Sequence, residues 1–129
     1  MRLRTITCLL GFASCAGPGT VMAVNSPNGL AFRFFEGDKP GIQLGPVDVF
    51  EVENGARGRT VCTLSARRTL AEWTYGSEVP GGQYLEGPCP KLEANRLYGL
   101  AAYRLDRRLL VTRFLIDDGG HVFDYGRRP

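Results

Sequence analysis

The chain has 129 residues, 43% apolar and 22% charged, the profile of one globular domain with a single core. Its 17 glycines and 8 prolines favour turns and short strands, which excludes collagen and coiled coil. A formal charge of +3 is small for a polyanion-binding face, and no apolar run reaches the roughly 20 residues of a membrane-spanning helix.

Met1-Arg2-Leu3-Arg4 is basic, Thr5 to Ala16 is an apolar run of twelve, and Gly17-Pro18-Gly19 breaks any helix before Val21-Met22-Ala23. That order is the grammar of a secretory signal, with Val21 and Ala23 at the small-residue positions before a cut at the Ala23–Val24 bond. A competing route lies upstream. Phe12-Ala13-Ser14-Cys15 resembles the lipobox of bacterial lipoproteins, in which Cys15 would be lipidated and become the new N-terminus, although Phe12 stands where Leu is usual. Cys15 as an ordinary apolar residue of the signal is the plain alternative. The expected organisation is a signal peptide over 1–23, a short linker over 24–29 and one domain over 30–129. Either cut removes Arg2 and Arg4 and no acid, taking 16 basic residues to 14 against 13 acids. The balance argues against nucleic acid as a partner. Arg67-Arg68, Arg107-Arg108 and Arg127-Arg128 read as solvated turns or strand ends.

Leu30 to Phe35 reads as the first strand. Glu36 to Pro46, with Gly37, Pro40, Gly41, Gly45 and Pro46, reads mostly as loop, and Val47 to Glu53 as a strand with one wet face. Asn54-Gly55 turns the chain into Thr60–Leu64, whose Cys62 and Leu64 share a face. Ser65 to Trp73 has two readings. Ala66, Leu70 and Trp73 would line a helix capped by Ser65, but a turn at Arg67-Arg68 and a strand from Leu70 to Tyr75 is preferred. Gly76 to Pro90 is a loop in which Pro88 and Pro90 hold Cys89 extended. Leu97–Leu105 and Leu109–Ile116 form a hairpin around Asp106-Arg107-Arg108, and Asp117-Asp118-Gly119-Gly120 turns into a last strand, His121–Tyr125. About seven short strands at this spacing predict an all-β chain forming a single small antiparallel β-sandwich.

Cys8 and Cys15 fall in the signal, leaving Cys62 and Cys89 as an even pair for which a disulfide is the default after export. Two cysteines 27 apart and one histidine do not make a zinc site, and neither metal nor cofactor is expected.

Leu92 precedes Tyr98 by six residues at the mouth of a strand in which Tyr98, Leu100 and Ala102 share a face. This resembles the tyrosine corner of fibronectin type III and related immunoglobulin-like domains, with Ala94 where that family has Pro. The resemblance implies a Tyr98 hydroxyl donating to the backbone near Leu92. Trp73-Thr74-Tyr75-Gly76, Val79-Pro80-Gly81-Gly82, Leu92 and Tyr98 are together similar to small exported bacterial proteins and lipoproteins of unknown function. That likeness implies an envelope location and no activity.

Lone His121 follows Asp117-Asp118 in a turn with no nucleophile placed by motif, and Ser65 and Ser77 lack a Gly-x-Ser-x-Gly context. No catalytic residue is assigned and no enzyme is expected. Trp73, Tyr75 and Tyr84 are the candidate partner surface, with the core as the stronger reading for Trp73. The expected function is an exported, non-enzymatic binding or structural module of the bacterial cell envelope, contacting a protein or envelope component. The alternative is a secreted inhibitor or accessory subunit of an extracytoplasmic enzyme, inserting the loop Pro80 to Pro90.

Overall fold

A computed structural model describes residues 18–126. Cys15, the candidate for lipidation, and the rest of the expected signal before Pro18 lie outside the described residues. Ten strands follow one another: β1 Gly19–Ser26, β2 Gly29–Glu36, β3 Lys39–Pro40, β4 Ile42–Glu53, β5 Ala56–Leu70, β6 Glu72–Thr74, β7 Gln83–Leu85, β8 Leu97–Arg104, β9 Leu109–Ile116 and β10 Val122–Gly126. Among the described residues no helix is long and apolar enough to cross a membrane.

The strands form two antiparallel sheets. In one, β1 flanks β2 on one edge while β3 and β6 share the other. The second has the order β10-β9-β8-β4-β5-β7. Side chains at alternate positions meet between the sheets, as the strand period of two requires. Val21, Ala23, Phe32 and Phe34 come from the first sheet, and Val47, Val49, Leu64, Leu100 and Phe114 from the second. Phe32 stacks on Trp73 at 5.5 Å and meets Phe114 edge-on at 5.1 Å, a geometry that favours aromatic pairs.

The all-β, two-sheet expectation holds, with more and longer strands than the sequence implies. Residues 24–29, expected as a linker, are the end of β1 and the turn into β2, and β1 pairs with β2 from Gly19↔Glu36 to Ser26↔Gly29. Glu36 to Pro46 is not mostly loop but holds β3 and the start of β4. The strand survives Gly45-Pro46 because the register against β5 slips between Leu44 and Pro46. The same slip carries β5 through Arg67-Arg68, where neither a turn nor a helix forms and Arg67 takes φ 52°. The break comes at Ala71, whose carbonyl accepts the Phe34 amide at 3.0 Å.

One long side of the sandwich is closed by side chains. The Asp124 carboxylate accepts the Ala23 amide at 3.2 Å and the hydroxyl of buried Thr112, and the Asn25 side-chain oxygen accepts the Val122 amide at 3.2 Å. The Ala23 and Asn25 bonds join β1 to β10, which no backbone ladder connects, while Thr112 braces Asp124 from β9. Gly99 on β8 lies where only glycine fits, because a Cβ there would run into the Phe50 ring.

Tyr98 is 3% exposed. The expected corner contact is present with its polarity reversed: the Glu93 amide donates to the Tyr98 hydroxyl oxygen at 2.9 Å.

Candidate functional site

The site is built on the segment between β6 and β8. Cys89 and Cys62 form the expected disulfide, with Cα atoms 5.1 Å apart, which fastens the end of this segment to the middle of β5. Its start is held by the Tyr84 hydroxyl, which donates to the Ser77 carbonyl. Arg68 donates to the Pro80 carbonyl at 2.7 Å, and the Tyr75 hydroxyl donates to the Pro90 carbonyl at 2.6 Å. Between these fixings β7 pairs Gln83↔Ser65 and Leu85↔Thr63, adding a short edge to the six-stranded sheet. A segment rich in Gly and Pro, which alone would sample many conformations, is therefore fixed in one.

Trp73, Tyr75 and Tyr84 are brought together beneath it. Trp73 is 1% exposed, so it belongs to the core and offers no face to a partner. Its ring lies 5.9 Å from Tyr75 and 6.4 Å from Tyr84, and its indole N–H donates to the Tyr84 oxygen at 3.0 Å. Tyr75 and Tyr84 are half-buried. Burial raises both hydroxyls above the ordinary phenol value, the Trp73 hydrogen bond partly offsetting it at Tyr84, so both remain neutral donors to their carbonyls.

Beside the loop opens a cavity of about 490 Å³ lined by Leu64, Val79, Pro80 and Tyr84 with Glu78 and Gln83 among its polar groups. Its mixed walls and rigid rim suit contact with a complementary surface.

His121 and Asp117 are employed elsewhere. Asp117 accepts the Gly119 and His121 amides at 2.9 Å each and lies 3.4 Å from the His121 ring. Those bonds, the His121 amide first, hold its carboxyl below the usual range, the signature of a turn cap. Ser77 donates to the Thr74 carbonyl at 2.7 Å, again a local turn bond.

Two ion-pair groups escaped the sequence reading. Glu51 is 5% exposed and meets Arg59 at 2.8 Å and Arg96 at 3.3 Å at one end of the core. Arg104 meets Glu36 at 3.0 Å and Asp106 at 3.5 Å at the other. The alternating apolar and acidic pattern of β4 marks Glu51 only as a solvent-face residue; its partners stand 8 and 45 positions away in sequence, beyond any local signal.

No protein-family model, curated protein or solved structure matches the chain. The loop and its neighbours carry the functional reading by their own chemistry.

Proposed function

We propose that the chain is an exported, non-enzymatic binding or structural module of the bacterial cell envelope, contacting its partner through the fixed 76–90 loop and the adjoining cavity. The observation that carries this is the loop's fixation at four points, by the disulfide, Arg68, Tyr75 and Tyr84. Such preorganisation lowers the ordering cost of association. The disulfide itself suits an oxidising, extracytoplasmic compartment.

The same reading takes Cys15 as the lipid-anchored N-terminus. A cut at Ala23–Val24 would divide β1 and take Val21 and Ala23 out of the core, whereas a cut at Ser14–Cys15 leaves every described residue in place. In that route the Cys15 thiol displaces the phosphorylated headgroup from a phospholipid, forming a thioether to diacylglycerol while the thiol proton leaves with the headgroup. Water then hydrolyses the Ser14–Cys15 peptide bond.

The test is a photo-crosslinking side chain at Gln83, with Ala56, about 30 Å away along β5, as control. A discrete adduct in envelope fractions from Gln83 alone is the expected result. Equal adducts at both positions, or none at Gln83, would reject the loop as the contact. A stoichiometric adduct to an extracytoplasmic enzyme would assign the inhibitor alternative.

A further inference from the structure

One end of the sandwich collects the start of the described chain, its finish and a hairpin tip. Pro18 is fixed there through its carbonyl, which accepts the Gly37 amide at 2.8 Å. Gly19 packs so closely that a Cβ would run into the side-chain ends of Leu110 and Arg104, with Ile42 in tight contact beside them. A cleft of about 180 Å³ runs between Gly19–Val21 and Leu109–Val111 and is bordered by Gly126, after which the sequence continues as Arg127-Arg128. The β8–β9 turn at this end leaves Leu105 59% and Leu109 45% exposed, and Tyr125 beside Gly126 is 53% exposed. Arg107 and Arg108 occupy the exposed tip between the two leucines. Of the nearby acids, Glu36 is paired with Arg104 at 3.0 Å, and Asp106 lies 3.5 Å from Arg104 and 3.7 Å from Arg108. Asp38 in the neighbouring turn is followed directly by Lys39, the first residue of β3.

We infer that this end of the molecule rests on a lipid surface bearing anionic headgroups. The inference depends on the reading of Cys15 as the anchored N-terminus. Only Ala16 and Gly17 separate Cys15 from Pro18, and three extended residues span at most about 10 Å. Acyl chains on Cys15 therefore hold this end against the bilayer and turn the opposite end, with the β4–β5 hairpin, away from it. Leu105, Leu109 and Tyr125 supply apolar and aromatic side chains for the interface, and Arg107 and Arg108 supply charge for lipid phosphates.

The experiment uses the mature protein isolated from the envelope and reconstituted into vesicles of phosphatidylglycerol with phosphatidylcholine. A diazirine side chain replaces Leu109 or, as control, Ala56, and intact mass reports in parallel whether Cys15 carries diacylglycerol. Lipid adducts at Leu109 and none at Ala56 are expected. Arg107→Glu with Arg108→Glu should lower the Leu109 yield about five-fold or more, following the attraction of roughly 1 kcal/mol for each basic residue near an anionic surface. A lipidated protein with no adduct at Leu109, or with equal adducts at both positions, overturns the docking face while leaving the anchor intact. A mature protein whose mass shows no lipid overturns the anchor and with it the inference.

Discussion

Tyr98 and Glu51 show how single side chains close this fold. The Tyr98 hydroxyl oxygen is the acceptor for the Glu93 amide. Tyr98→Phe would leave that donor without its partner and should cost about 1 kcal/mol, the usual worth of one internal hydrogen bond. Tyr125→Phe, at a 53% exposed position, should cost under about 0.5 kcal/mol. Urea melts of the two variants make the comparison, and equal losses would remove the corner as a source of stability. Glu51 carries a pH prediction. The hydrogen bond from Arg59, ahead of the opposing burial and the charges of Arg59 and Arg96, holds its carboxyl below the ordinary value. A depressed folded pKa means that the ion pair stabilises fully above the unfolded carboxylate pKa and that this stability is lost as pH falls through the folded one. Glu51→Gln should therefore be less stable than the parent at neutral pH, and the two should converge in acid; a gap that is constant with pH would refute the assignment.

At the scale of elements, the disulfide couples the 76–90 loop to β5. Closing a loop of 27 residues stabilises by about 3.5 kcal/mol in the chain-entropy account. Reduction should lower the denaturation midpoint accordingly and should make the loop backbone around Gln83 exchange its amide hydrogens faster; unchanged exchange would mean that Arg68, Tyr75 and Tyr84 suffice to hold it. This pairing was legible because two cysteines remain once the residues expected to form a signal are set aside, and the β8–β9 hairpin was legible from alternation around a polar tip. Gly45-Pro46 and Arg67-Arg68 misled for a common reason. Each carries a local turn signal, yet the two lie opposite one another across β4 and β5, where one register slip absorbs both irregularities. Pairing between residues about 20 positions apart overrides what either segment prefers alone. Trp73 was legible as a core residue from its place in an alternating run; that Tyr84 would come beneath the loop to accept its N–H depended on the tertiary fold.

For the whole molecule, β1 decides whether the two sheets form a closed body. It covers the free edge of β2, sends Val21 and Ala23 into the core, and meets Asp124 and Val122 of the other sheet through side chains. A chain beginning at Val24 loses the register pairs from Gly19 to Ala23 and both buried side chains, leaving the three-residue remnant Val24–Ser26 against β2. Burying a valine alone is worth about 1.5–3 kcal/mol, a large part of the margin of a domain this size. A chain beginning at Ala16 should accordingly unfold in one cooperative transition, and the chain beginning at Val24 should lose at least about 2 kcal/mol or fail to fold. Guanidinium melts followed by the emission of Trp73, the sole tryptophan, read this directly, since its ring leaves the core on unfolding. Coincident midpoints would show that the first half of β1 contributes nothing and would restore the Ala23–Val24 bond as a processing site compatible with the fold.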